Sequence, residues 1–146
     1  MITLATSEEL PAVADLAKWY FYKCGSIGEF DAGSFVTAWT DLLRSGAGYI
    51  TKRTNGNPEP QEAMGVLIYP DPNRGQRVAA ATFWYAQDDS SMASGLLHER
   101  TLREARERGA VGFYSTALIN ERYGKVSGFF LGSGYKPVEV HFYKEL

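Results

Sequence analysis

Cysteine is almost absent from this chain. Cys24 stands alone, so no disulfide can close within the chain and no cluster of thiols can hold a metal. Histidine is nearly as scarce. His98 and His141 lie far apart, outside any metal-ligand spacing, and no metal is expected. No Gly-x-Ser-x-Gly sequence occurs and Cys24 has no evident histidine partner, which argues against a covalent nucleophile. Excess charge of one sign is also missing. Fifteen Lys and Arg against seventeen Asp and Glu give a net charge of −2, which excludes a strongly basic nucleic-acid surface. No apolar run approaches the roughly 20 residues needed to cross a bilayer. The opening residues Met1 to Ala5 carry neither a basic region nor an apolar run of signal length. A cytoplasmic setting is expected, or a virion if the chain is phage-encoded.

Aromatic residues are plentiful, at 14% of 146 residues, and a well-filled core is the simplest use for them. The hydrophobic share of 45% is ordinary for one globular domain, expected to span residues 1–146. Ile2 to Ala5 reads as a short strand. Ser7 can cap a helix, or Thr6 can with Glu9 as a capping box, followed by Leu10, Val13, Ala17 and Tyr20 at helical spacing. Asp31 or Ser34 can start a second helix with Phe35, Trp39, Leu42 and Leu43 on one face, stopped at Gly46. Tyr49 to Arg53 and Ala63 to Tyr69 flank a turn at Asn55-Gly56-Asn57-Pro58 and read as a hairpin. Val78 to Tyr85 is a third long strand. A helix from about Ser94 to Arg108 places Leu97, Thr101 and Ala105 on one face, with Glu99 and Arg103, and Glu104 and Arg108, as supporting pairs four apart. Then come a strand at Val111 to Thr116, a short helix through Val126, Phe129 and Phe130, and a last strand after Pro137. There Val138, Val140 and Phe142 alternate with Glu139, His141 and Tyr143. The order predicts an α/β fold with a mixed central sheet of about 6–7 strands and about 4 helices.

This order resembles the GNAT superfamily, the fold of many acetyl-CoA-dependent N-acetyltransferases. The C-terminal half carries the resemblance in sequence. Leu96-Leu97 with Ala105-Arg106-Glu107-Arg108-Gly109-Ala110 is similar to the family's third helix and its exit. Phe129 to Pro137 resembles the late segment that ends in Gly-Phe-x-Pro, and Tyr143-Lys144-Glu145-Leu146 resembles the closing strand.

The resemblance implies an acetyl-CoA site in the loop after the fourth strand. There the family places Arg/Gln-x-x-Gly-x-Gly/Ala, whose backbone N–H groups meet the CoA pyrophosphate at a helix N-terminus. Counted back from Ala105 and Gly109, the Arg/Gln position holds Asp89, the first Gly position Met92 and the last Ser94, or Gly95 after a slip of one. The implied cofactor-binding residues are therefore Met92, Ala93, Ser94 and Gly95, with Trp84 and Tyr85 beside the pantetheine arm. Asp88 and Asp89 oppose a pyrophosphate. At about 6 Å and an effective dielectric of 20, each unit pair costs roughly 2–3 kcal/mol. Asp89, Ser90 and Ser91 read more simply as helix caps. The family's tyrosine that protonates the departing thiolate falls on Phe130, which has no proton to give; Tyr123 is the candidate replacement. Neither Val78 to Tyr85 nor Val111 to Thr116 contains an acidic residue or histidine as a general base. Glu29 and Asp31 are candidates for holding a cationic acceptor.

Two functions follow. The substituted loop and Phe130 favour a degenerate acetyl-CoA site on a non-catalytic structural or binding module, with protein partners in an assembly such as a phage virion. The alternative is an acetyl-CoA-dependent N-acetyltransferase acting on an amine of a small molecule or protein.

Overall fold

The computed structural model describes residues 1–24, 28–88 and 91–146. The chain divides into two compact units, Met1–Tyr114 and Ser115–Leu146. The first holds a mixed sheet of five strands in sequential order: β1 (Ile2–Leu4), β2 (Gly48–Arg53), β3 (Glu62–Pro70), β4 (Arg77–Ala86) and β5 (Phe113–Tyr114). The first four are antiparallel, and β5 runs parallel to β4. Helix α1 (Leu10–Cys24) and helix α2 (Ala32–Ser45) precede β2, and helix α3 (Ser91–Glu107) makes the crossover from β4 to β5.

Local chemistry sets the helix boundaries. The Thr6 backbone N–H donates to Glu9 Oε2 at 2.9 Å at the turn that leads into α1. Asp31, not Ser34, caps α2; its Oδ1 accepts from the Ser34 N–H at 2.7 Å. Gly46 ends α2 at φ +75°, a conformation that strains other residues. Helix α3 begins at Ser91, three residues before the expected start at Ser94. The cap candidates Asp89 and Ser90 lie outside the described residues.

The sheet buries both faces. Against α1 and α2 it packs Ile50, Ala63 and Phe83 with Leu10, Val13, Leu16 and Trp39. Against α3 it packs Tyr49, Met64, Val66, Ile68 and Ala79 with Leu97 and Ala105. The predicted α3 face is the buried one: Leu97, Thr101 and Ala105 are all inside. Polar groups on that face are paired. Tyr49 Oη donates to the Thr101 carbonyl at 2.7 Å, and the Thr51 and Thr101 hydroxyls bond each other. Glu104 joins Arg100 at 2.8 Å and Arg108 at 2.9 Å along the helix.

One irregularity decides which β4 side chains face which helices. Gly65 pairs with Phe83 while Val66 pairs with Ala81, so Thr82 is an extra residue, a β-bulge. Before it, Ala79 and Ala81 face α3; after it, Trp84 faces α3 while Phe83 and Tyr85 face α1 and α2. Unbroken alternation would have put Phe83 with Ala81. The Thr82 hydroxyl donates to the Gly65 carbonyl at 3.3 Å. The Phe83 ring lies over Gly65, where an added Cβ would stand 2.2 Å from the ring.

Two strands fall short of expectation. Residues Val111 to Thr116 give a strand only at Phe113–Tyr114. The segment from Pro137 to Tyr143 forms no strand; Val138, Val140 and Phe142 are exposed there, so the count is five rather than 6–7. Alternation marks a strand only where a neighbouring strand takes up its N–H and C=O groups, and none pairs with this segment among the described residues. In the second unit, helix α4 (Tyr123–Gly132) forms as expected and buries Phe130.

Gly65→Ala tests the Phe83 packing. Relieving a strand glycine normally gains about 0.5–1 kcal/mol. Here overpacking against the ring should win, with a net loss of about 1–3 kcal/mol in urea unfolding. Phe83→Leu in the same chain should recover part of it; an unchanged midpoint for Gly65→Ala would contradict this packing.

Candidate functional site

The end of β4 and the start of α3 meet over a buried charged group. Glu62, the first residue of β3, is fully buried on the α3 face. Its Oε1 accepts from Trp84 Nε1 at 2.8 Å and from Ser94 Oγ at 2.6 Å. Its Oε2 accepts from Arg53 Nε at 3.0 Å. Arg53 is the last residue of β2 and sits opposite Glu62 across the hairpin. Its Nη2 reaches Asp88 Oδ1 at 2.9 Å, and its Nη1 donates to Gln61 Oε1 at 3.2 Å. Burial alone would lower the Arg53 pKa, but Glu62 and Asp88 hold it above its ordinary value. Removing one partner of such a buried pair typically costs about 3–5 kcal/mol, because the other charge is left uncompensated.

This arrangement changes the charge expected at the loop. Asp88 is paired with Arg53, so it does not present a free carboxylate at the α3 N-terminus. Asp89 lies outside the described residues. Strand β4 pairs with β5 only at Ala79 and Ala80. That pairing ends where β5 itself ends, at Tyr114.

The residues singled out from sequence fall in four places. Met92, Ala93, Ser94 and Gly95 form the first turns of α3; Met92 is exposed, and Ser94 is held by Glu62. Trp84 and Tyr85 are neighbours on opposite faces. Trp84 stacks on His98, with centroids 5.7 Å apart. Tyr85 stacks on Phe83 at 4.5 Å and meets Tyr20 at 4.9 Å, and burial pushes its phenol up to about 12. Glu29 is exposed before α2, and Asp31 is committed to the α2 cap. Helix α2, which Asp31 begins, packs with Tyr85 on one side of the sheet, and the α3 turns lie on the other. Tyr123 is the exposed first residue of α4, in the second unit. In that unit Phe130 packs on Phe129 at 5.8 Å and Tyr135 at 5.1 Å.

Sequence reasoning missed Arg53, Glu62 and His98. Arg53 and Glu62 lie on either side of the predicted turn and are opposite in sign, a signal for a cross-strand pair. His98 is buried between Trp84 and Phe113. The predicted α3 face was drawn through Leu97, and its neighbour His98 widens that face toward β4 and β5.

No family model matches the sequence, and no curated protein matches it. Solved structures do match over the whole chain. A ribosomal-protein-alanine N-acetyltransferase from Brucella melitensis biovar Abortus shares 15% identity at a TM-score of 0.73, over 100% of this chain and 98% of that one. An aminoglycoside antibiotic 6'-N-acetyltransferase from Acinetobacter haemolyticus shares 15% at 0.72, over 100% and 99%. A transcriptional regulator from Bacillus halodurans shares 15% at 0.78, over 100% and 99%. The chain has the GNAT acetyltransferase fold, in a sequence far diverged from these structures.

Burial lowers the His98 pKa, opposed by the charge of Glu99. The folded state therefore keeps His98 neutral where the unfolded chain takes a proton. Its contribution to stability is full above the ordinary histidine value of 6.5 and is lost as pH falls below it. Urea midpoints should drop between pH 7.5 and 5.5, and His98→Gln should flatten that slope. Glu104, held below its ordinary carboxylate range by Arg100 and Arg108 despite burial, loses its contribution only at more acid pH. An unchanged slope in His98→Gln would contradict the assignment.

Proposed function

We propose that this chain binds an acyl-CoA and acts as an acetyl-CoA-dependent N-acetyltransferase on an amine of a small molecule or protein. The observation that carries the reading is the start of α3 tied to the end of β4, Ser94 and Trp84 donating to one oxygen of buried Glu62, beside the parallel β4–β5 pair. The neutralised Asp88 supports it, because it removes one of the two charges that argued against a pyrophosphate there. The solved acetyltransferases of the same fold support it as analogy.

The residues present fit the cofactor in kind. Met92, Ala93, Ser94 and Gly95 would stand at the positive N-terminal end of α3, which attracts the phosphates, and Trp84 would flank the pantetheine arm on the α3 face. Bound acetyl-CoA supplies a thioester carbonyl as the electrophile. In this reading Tyr85 leaves the cofactor side and lines the acceptor side, with Glu29 and Asp31 attracting a cationic amine. The resemblance leaves Tyr123 as the candidate proton donor to the leaving group.

A second reading rests on Phe130. It is buried and aromatic where the resemblance calls for a proton donor, which favours a non-catalytic module, as in a virion assembly. Calorimetric titration with acetyl-CoA, followed by thiol release with a panel of small amines and peptides, separates the two. The proposed enzyme gives saturable binding and turnover, and Tyr123→Phe lowers kcat about ten- to a hundredfold. Binding without turnover on any acceptor would favour the second reading. No binding would overturn the first.

A further inference from the structure

We propose that the acceptor of this chain is an arylalkylamine, an amine carried on an aromatic body, received by a circuit of aromatic rings between α1, α2 and β4. The inference rests on the acetyltransferase reading above and names the class of its substrate.

The rings touch one another in a closed series. On β4, Phe83 stacks on Tyr85 with centroids 4.5 Å apart. Tyr85 meets Tyr20 of α1 at 4.9 Å, and Phe83 meets Phe35 of α2 at 5.7 Å. Phe35 meets Phe30 at 5.5 Å, and Phe30 meets Phe21, the next residue after Tyr20, at 5.8 Å. Of the six, Phe83 is buried and the other five are half-buried. Trp39 closes the core beneath them, against Phe35 and Phe83. Five rings are thus clustered apolar surface beyond that core, and such clustering marks a ligand site where scattered rings do not.

Polar groups set the rest of the ligand. Among the described residues no hydrogen bond reaches the Tyr85 hydroxyl, and burial is the one cause that raises its phenol. Every fully buried polar side-chain atom among those residues has a partner, so this hydroxyl meets solvent, where its oxygen can accept from an ammonium. Glu29 and Asp31 flank Phe30 in the chain and are exposed. Asp31 keeps its charge while it caps α2, because the Ser34 N–H holds its carboxyl below the ordinary range. Ring faces and carboxylates both attract an ammonium, and a ring stacks on rings. An amine on a polyol would lose water from its hydroxyls here and meet the hydroxyls of Tyr20 and Tyr85 alone on the six rings. In the transfer the ammonium first gives a proton to water. The amine nitrogen then forms the C–N bond, the thioester C–S bond breaks with its electron pair on sulfur, and a second amine proton ends on the thiol.

The test uses the full chain, with and without CoA, and three amines: phenethylamine, butylamine and glucosamine. Ligand-observed NMR reads binding, and thiol release from acetyl-CoA reads turnover. Phenethylamine should bind about tenfold tighter than butylamine, and its kcat/KM should exceed that of glucosamine about a hundredfold. Tyr20→Leu should weaken phenethylamine about three- to thirtyfold and leave butylamine within about twofold. Tyr85→Phe should raise the KM for phenethylamine about three- to tenfold while the urea midpoint holds or rises, because the hydroxyl it removes bonds no described residue. If Tyr20→Leu does not fold, the ranking of the three amines by the wild type and the Tyr85→Phe variant carry the test.

Equal use of phenethylamine and glucosamine would overturn the proposal. So would phenethylamine that binds neither alone nor with CoA, or that binds a folded Tyr20→Leu as it binds the wild type. Phenethylamine held by a protein that takes up no CoA would overturn the acetyltransferase reading instead and leave the aromatic site standing.

Discussion

A carboxylate with no exposed surface sits at the base of β3, and three elements depend on how it is satisfied. Glu62 takes its hydrogen bonds from Arg53 on β2, Trp84 on β4 and Ser94 on α3. An ion buried without such partners would cost several kcal/mol, so the sequence must bring all three donors to one point. Doing so fixes the pairing of the β2–β3 hairpin, the face on which Trp84 lies and the height at which α3 begins. A one-residue slip in β3 would turn Glu62 toward α1 and α2 and break every one of these contacts.

The bulge at Thr82 makes that network compatible with the aromatic core. It keeps Trp84 on the α3 face while sending Phe83 and Tyr85 to the other. Phe83 then meets Phe35 at 5.7 Å and Trp39 at 5.4 Å, and its ring uses the space left by Gly65. One strand therefore serves two chemistries. Its α3 side carries the indole that binds Glu62; its opposite side carries rings packed against α1 and α2. The candidate cofactor and acceptor residues separate along the same division.

Much of the fold was legible because its signals are local. Asp31 and Gly46 bound α2 through capping chemistry, and Leu97, Thr101 and Ala105 mark the α3 face by period alone. What escaped was set by distant partners. The Arg53–Glu62 pair spans the hairpin loop, and its value lies in Trp84 and Ser94, which no spacing rule connects to it. His98 is buried because Trp84 and Phe113 arrive from two strands. The alternation of Val138, Val140 and Phe142 was clear, but pairing requires a neighbour that sequence pattern cannot supply. Asp88 misled for the same reason: its charge is plain in the sequence, and its partner on β2 is not.

The central claim is that Arg53 and Glu62 act as one unit in a desolvated place. A double-mutant cycle with Arg53→Gln, Glu62→Gln and the double variant, read by urea unfolding, measures that directly. Arg53→Gln strands a buried anion, whereas in the double variant no such anion remains. The account predicts that the losses fall short of additivity by about 1.5–3 kcal/mol. Losses that add within about 0.5 kcal/mol would show two independent side chains and contradict it.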